Sequence, residues 1–66
     1  MLQGKVRWFN EAKGFGFIDC DGVDYFIHYK EIKGEGFKLL KQGEQVIFEP
    51  SKSPKGFLAK SVVKQA

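Results

Sequence analysis

The stretch that decides the fold is residues 15–28, Phe-Gly-Phe-Ile-Asp-Cys-Asp-Gly-Val-Asp-Tyr-Phe-Ile-His. Two apolar-rich runs flank Asp21-Gly22, a pair that suits a two-residue type I′ hairpin turn because both central residues of that turn need positive φ. The turn predicts an antiparallel hairpin in which Cys20 lies opposite Val23 and the pairing continues outward from there. A register for both strands therefore follows from the local sequence alone.

This register separates the hairpin into two faces, since directly opposed residues share a face and the faces alternate. The face predicted to be the core is mostly aliphatic: Cys20, Val23, Ile18, Tyr25, Gly16 and Ile27. The other face combines rings with charged and polar groups: Phe15, Phe17, Asp19, Asp24, Phe26 and His28. Burying two carboxylates and an imidazole without partners would be costly, so we predict that this second face is exposed to water. Asp19 opposite Asp24 is a mildly destabilising like-charge pair.

The rest of the chain is divided by eight glycines and two prolines into short runs with no sustained helical period. We predict strands at Leu2–Asn10, Phe15–Cys20, Val23–Tyr29, Glu44–Pro50 and Gly56–Lys64. The long connection at Lys30–Gly43 leaves room for one helical turn at Tyr29–Lys33. Five strands and almost no helix predict an all-β fold, a small antiparallel barrel whose closure removes exposed edges. In the first strand, alternation would send Trp8 inward with Val6, whereas a bulge would turn it outward.

The composition of the chain limits the classes of protein to which it can belong. A chain of 66 residues has room for a single domain, without a deep cleft between domains. Its 42% hydrophobic and 29% charged residues indicate a globular protein, and no apolar run approaches the roughly 20 residues of a membrane span. We see no signal-peptide apolar region near the N-terminus. The lone cysteine, Cys20, cannot form an internal disulfide, and this predicts a reducing, cytoplasmic location.

Aromatic residues make up 15% of the chain, including seven Phe, which is more than a thin core needs. An exposed aromatic patch costs solubility and indicates a binding partner. Unpaired nucleobases fit such a patch, because each base stacked on a ring contributes about 1–3 kcal/mol. The net charge of +3 favours a polyanion. The basic side chains expected to contact phosphates are Lys5, Arg7, Lys13, Lys38 and Lys55.

Two segments of the chain, Lys13–Ile18 and Tyr25–Tyr29, resemble the paired ribonucleoprotein motifs of the cold-shock domain. The resemblance covers nearly the whole chain and extends to Gly4–Asn10, Gly34–Lys38 and Gly43–Glu49. It implies one cold-shock domain over residues 1–66, built as a five-stranded oligonucleotide/oligosaccharide-binding (OB-fold) barrel. It also implies binding of single-stranded RNA and DNA, with a role as an RNA chaperone or transcription antiterminator in the stress response.

The resemblance implies roles for individual residues. The stacking positions of the family are matched by Trp8, Phe15, Phe17, Phe26, His28 and Phe37. Tyr29 stands where the family usually has Phe. Lys13, Arg7 and Lys55 occupy basic positions, and Asp24 occupies an acidic position able to accept a hydrogen bond from a base. Lys5, Phe9, Lys38 and Phe57 complete the predicted site.

Three departures from the family pattern concern the rims. The loop at Asp21–Asp24 is one residue shorter than usual, Tyr25 replaces a core valine, and Phe57-Leu58 stand where the family often has Pro-Gln. Phe57 is therefore an additional ring at the edge of the predicted site.

Other functions fit the sequence less well. An RNA-recognition motif would share Lys13–Phe17 but needs two amphipathic helices. A small barrel that recognises proline-rich peptides would lack a reason for the basic rim. His28 is the only histidine, so we expect no metal, no cofactor and no catalytic activity. We expect a monomer that does not bind membranes, with a strand-exchanged dimer hinged at Lys30–Gly43 as the alternative.

Overall fold

Five β-strands form the frame of the computed structural model, which describes residues 1–33 and 40–65. They are β1 (Leu2–Asn10), β2 (Phe15–Cys20), β3 (Val23–His28), β4 (Gln45–Ser53) and β5 (Gly56–Lys64). The strands form a closed barrel in the order β1-β2-β3-β5-β4. The predicted all-β, five-stranded barrel is confirmed.

Four of the five seams of the barrel are antiparallel, as predicted, while β3 and β5 pair in parallel at Phe26 and Leu58. An odd number of strands cannot alternate direction all the way around a closed ring. At least one parallel seam is therefore unavoidable. It falls between β3 and β5, which are not consecutive strands in the chain.

The β2–β3 hairpin has the predicted register at every position, from Cys20 opposite Val23 to Phe15 opposite His28. Asp21 and Gly22 have φ values of 51° and 81°, the pair of positive values that a type I′ turn requires. The local turn chemistry therefore fixes which side chains point into the barrel.

The core lies inside the barrel and includes the predicted aliphatic face. Ile18 and Ile27 are fully buried, and Phe48 of β4 is buried with them. Tyr25 packs on Phe48 with their ring centroids 4.9 Å apart. Val23 is the exception to the predicted core face. It directly follows the Asp21-Gly22 turn at the end of the hairpin, where it is exposed.

The ends of β3 and of the connection after it differ slightly from the prediction. β3 stops at His28, because Tyr29–Glu31 form a 3-10 turn instead of extending the strand. The helical turn expected at residues 29–33 is thus present in shortened form. Its N-cap is His28, whose side chain accepts a hydrogen bond from the Lys30 backbone N–H.

β4 runs from Gln45 past Pro50, where the predicted strand ended, to Ser53. β1 pairs with β4 only as far as Phe48, so one edge of the later part of β4 has no strand partner among the described residues. A proline is tolerated in a strand with such a free edge. Across residues 1–33 and 40–65, no helix is long and apolar enough to cross a membrane.

Candidate nucleic-acid interface

A bulge in β1 determines where Trp8 points. Val6 pairs with Ile18, yet Trp8 pairs with Phe17, so Arg7 is an extra residue on the β1 side of the ladder. The bulge reverses the alternation, and Trp8 is 40% exposed while Val6 remains buried. Of the two orientations left open by the sequence, the structure shows the outward one.

Four rings share the outer face of β1, β2 and β3, and we call Trp8, Phe15, Phe17 and Phe26 the aromatic cluster. The Trp8 ring centroid lies 5.6 Å from that of Phe15 and 5.5 Å from that of Phe17. Phe26 stacks on Phe15 at 5.7 Å and meets Phe17 edge-on at 5.7 Å. These are favourable aromatic geometries. The three phenylalanines are half-buried because they cover one another, which leaves a continuous aromatic surface facing outward.

His28 and Tyr29 continue this surface at the end of β3, with their ring centroids 4.7 Å apart. The Nδ1 atom of His28 accepts a hydrogen bond of 3.2 Å from the Lys30 backbone N–H. A neutral His28 ring therefore carries its proton on Nε2, where it is available to an outside acceptor.

Tyr29 is held against the loop between β1 and β2. Its backbone N–H donates to the Gly14 carbonyl oxygen at 2.8 Å. A Cβ atom on Gly14 would lie 2.6 Å from the Tyr29 ring, and the φ of Gly14 is +74°. Glycine at position 14 thus allows the ring to pack closely on the loop.

Arg7 is held by both carboxylates of the predicted like-charge pair. Its Nε donates to Asp24 Oδ1 at 2.8 Å, and its Nη2 lies 3.4 Å from Asp19 Oδ1. That Asp19 oxygen is buried and makes no hydrogen bond, so the ionic contact with Arg7 is what compensates it. The hydrogen bond to Asp24, together with the charges of Asp24 and Asp19, raises the pKa of the Arg7 guanidinium. The three groups carry a combined charge of −1, and a phosphate would have to compete with both carboxylates for Arg7.

A cavity of about 530 Å³ opens beside the aromatic cluster, between β3 and the β4–β5 hairpin. Its lining residues are Phe17, Phe26, Ser53, Lys55, Gly56 and Leu58. Ser53 Oγ donates to the Gly56 carbonyl and accepts from the Lys55 backbone N–H, so its hydrogen bonds stay within the hairpin. Leu58 is a lining residue that the sequence did not single out. The β3–β5 register that places it beside Phe26 is not set by any turn.

Phe57 lies apart from the aromatic cluster. Its ring is 43% exposed and contacts the ring of Tyr25 at 5.5 Å and the Lys52 ammonium at 6.0 Å. Because neighbouring residues of a strand point to opposite faces, Leu58 faces the cavity and Phe57 faces the other way. The structure thus places Phe57 away from the aromatic cluster, and a role for it in binding stays a prediction.

The remaining predicted residues lie around the face or outside the described part of the chain. Lys5, Lys13 and Lys55 are exposed. Phe9 is half-buried and packs against the core. Phe37 and Lys38 fall in residues 34–39, which the structure does not describe.

The described residues contain no cluster of three or more His, Cys, Asp or Glu side chains that could hold a metal ion. Cys20 is buried and its Sγ lies 3.5 Å from the Gln3 carbonyl oxygen. Burial, followed by the charges of Asp21 and Asp19, raises the pKa of the Cys20 thiol. Such a thiol is a poor nucleophile.

Comparison with known proteins gives consistent matches over nearly the whole chain. The sequence model of the 'Cold-shock' DNA-binding domain family matches residues 2–65. Cold shock-like protein CspE of Bacillus anthracis is 52% identical over 64 residues, covering 96% of this chain and 96% of that protein. Cold shock-like protein CspA of Shewanella violacea is 50% identical over 62 residues, covering 91% and 89%. Cold shock protein CspB of Bacillus caldolyticus is 49% identical over 65 residues, covering 97% and 98%.

A solved structure, drosophila Unr CSD456, superposes with a TM-score of 0.79 over 98% of this chain and 26% of that chain. Its sequence identity is 21%, so this likeness concerns the fold alone.

Proposed function

The chain belongs to the 'Cold-shock' DNA-binding domain family, and from this we propose that it binds single-stranded RNA or DNA with little sequence preference. The observation that carries the proposal is the aromatic cluster, four rings within 5.7 Å of their neighbours on one outer face. Rings presented in this way stack on unpaired bases, whereas a duplex keeps its base faces covered. His28 and Tyr29 extend the stacking surface.

The size of the surface sets the expected affinity. About five stacked bases contribute roughly 5–15 kcal/mol before costs. Association and ordering take back about 4–15 kcal/mol. The balance is compatible with dissociation constants between micromolar and nanomolar. Because stacking accepts every base, the same surface accounts for tolerance of sequence.

In this proposal, electrostatic contacts with phosphates contribute less to the affinity than base stacking does. Lys13 and Lys55 are exposed at the edges of the face, while Arg7 is already paired with two carboxylates. With two or three phosphates neutralised, the single-strand slope of about −0.7 per contact gives a loss of roughly 7-fold to 20-fold in affinity between 50 and 200 mM salt. Binding should therefore survive moderate salt.

An RNA chaperone or antitermination role would follow from such binding without any catalysis. Each captured single strand is removed from the hairpin population, so RNA secondary structure is disfavoured by mass action. We include a monomeric state and a cytoplasmic location in the proposal. The first would be tested by light scattering of the free protein, and the second by fractionation of cells that express it.

The direct test is a titration of Trp8 fluorescence with heptathymidine and, separately, with a fully base-paired duplex that is stable at the assay temperature. We expect quenching by the single strand, and an affinity at least tenfold lower in Phe15→Ala. Phe57→Ala is the matched control, because it removes an exposed ring that lies outside the aromatic cluster. Equal binding of single strand and duplex, or normal binding by Phe15→Ala, would contradict the proposal.

A further inference from the structure

The parallel seam between β3 and β5 holds a second cavity. The two strands pair only at Phe26 and Leu58, and the next contact along the seam is the isolated bridge between Ile32 and Val62. A cavity of about 160 Å³ lies along this seam. It is lined by Phe26, His28, Glu31, Leu58, Ala59 and Lys60. Phe26 and Leu58 also line the cavity beside the aromatic cluster, so the two cavities are adjacent.

A strained segment of β5 holds the Glu31 side chain at this cavity. Ser61 has a φ of 51°, a left-handed value that is uncommon for a residue other than glycine. It lies at the irregularity where the β4–β5 register shifts between Ile47 and Glu49. Its backbone N–H donates to Glu31 Oε1 at 3.4 Å. The Ser61 backbone N–H thereby positions Glu31 Oε1, and Glu31 Oε2 can accept a hydrogen bond from another donor.

The rim of the cavity carries two opposite charges that do not pair with each other. Within residues 1–33 and 40–65, neither Glu31 nor Lys60 has an oppositely charged side chain within 4.0 Å. The walls include the phenyl ring of Phe26, the imidazole of His28 and the side chain of Leu58, whereas the side chain of Ala59 is buried in the core. An apolar, aromatic slot with one acceptor and one cationic donor at its mouth matches the edge of a nucleobase, which presents N–H donors beside carbonyl or ring-nitrogen acceptors.

We propose that this pocket at the β3–β5 seam receives one nucleobase of the bound strand, with Glu31 accepting from its exocyclic amino group and Lys60 donating to a neighbouring acceptor. The proposal rests on the proposed single-strand binding, since the strand reaches the pocket from the aromatic cluster across Phe26. It adds a base-selective position to an otherwise tolerant surface.

The selectivity follows from the carboxylate. Cytosine, adenine and guanine carry an exocyclic amine that a carboxylate can accept from, as Glu and Asp do with the cytosine N4 amine in direct readout. Thymine and uracil offer only a ring N–H between two carbonyl oxygens, whose lone pairs face the same carboxylate. The pocket should therefore prefer an amino-bearing base over thymine or uracil.

The experiment uses the full chain and eight probes: heptathymidine and seven variants of it with a single cytosine at successive positions. Affinities come from the quenching of Trp8 fluorescence. We expect one cytosine position to bind about fivefold to tenfold more tightly than heptathymidine, which is the lower end of the range for a single good base contact. In Glu31→Gln the amide oxygen can still accept from Ser61, while the amide nitrogen now donates, so the preference at that position should invert toward thymine.

The matched control is Asp21→Asn, which removes the same charge at the opposite end of β3 and keeps a residue suited to the positive φ of the turn. It should show the wild-type preference, whereas Lys60→Gln should weaken it. Circular dichroism of each variant checks that the barrel is intact. If heptathymidine binds but all seven cytosine positions are equal, or the preference is unchanged in Glu31→Gln, the pocket proposal is wrong. If heptathymidine itself does not bind, the proposed function fails.

Discussion

Replacing Phe26 with alanine removes a ring that contacts two other members of the aromatic cluster. Phe26 stacks on Phe15 with an interplanar angle of 27° and meets Phe17 at 75°. It also lies opposite Leu58 at the parallel seam and borders both cavities there. We therefore expect this substitution to affect both binding and stability.

The two effects have separable magnitudes. Loss of one stacked base costs about 1–3 kcal/mol of binding free energy. That corresponds to an affinity lower by about fivefold to 150-fold. Loss of two ring contacts, at about 0.5–1.5 kcal/mol each, lowers the free energy of unfolding by about 1–3 kcal/mol. A barrel this small has only a few kcal/mol in reserve, so the variant should remain folded only at low temperature.

The assay combines urea unfolding with calorimetric titration of an oligonucleotide at 10 °C, where the fraction of folded variant is known. Phe57→Ala serves as the control, because its ring is half-exposed and contacts the core through Tyr25. We expect Phe57→Ala to lose stability without loss of affinity per folded molecule. If Phe26→Ala binds as tightly per folded molecule as the parent chain, base stacking on the aromatic cluster is refuted.

Four further outcomes are expected from other parts of the barrel. Arg7→Gln leaves two opposed carboxylates without their shared cation, so the melting temperature should fall more at 20 mM than at 500 mM salt; a fall independent of salt would contradict this. Gly16→Ala makes a Cβ clash with the Trp8 backbone carbonyl oxygen of β1 and should prevent folding, as judged by circular dichroism. By contrast, Gly22→Ala meets no atom within 4 Å and should cost only the left-handed penalty of about 1–2 kcal/mol, measured by urea unfolding. The raised pKa of buried Cys20 means that the unfolded thiol ionises first as pH rises, so stability should decrease above about pH 8.5, and a Cys20→Ser variant should lose this decrease.

The parts of the structure that the sequence predicted are those encoded by neighbouring residues. Asp21-Gly22 determines the turn, the turn determines the register, and the register places Phe15 and Phe17 on one face and Ile18 on the other. Each step depends on contacts within a span of fourteen residues, 15–28. Local turn chemistry and strict alternation were sufficient there.

The parts that were missed depend on pairings between distant segments. Leu58 and Glu31 border the β3–β5 seam, whose single register pair joins residues 26 and 58 without any turn to define it. No turn sets the β3–β5 register, and this explains why the sequence analysis assigned Phe57 to the site and not Leu58. The ion pair between Arg7 and Asp24, which are 17 residues apart in sequence, follows from the bulge in β1. Alternation alone did not decide whether that bulge was present.

The bulge at Arg7 has a consequence for how substitutions are tolerated along β1. A strand without it would show sensitivity at every second position throughout its length. In β1 the alternation of buried and exposed residues should hold as far as Val6 and then shift by one residue. In a saturation mutagenesis experiment, the positions sensitive to substitution should therefore shift by one residue in the middle of the strand. Deleting residue 7 would restore uniform alternation along β1, and Trp8, which would then directly follow the inward-facing Val6, would remain on the outer face opposite Phe17. A shortened chain of that kind should keep its fluorescence response to oligonucleotides but lose the ion pairs that Arg7 makes with Asp19 and Asp24.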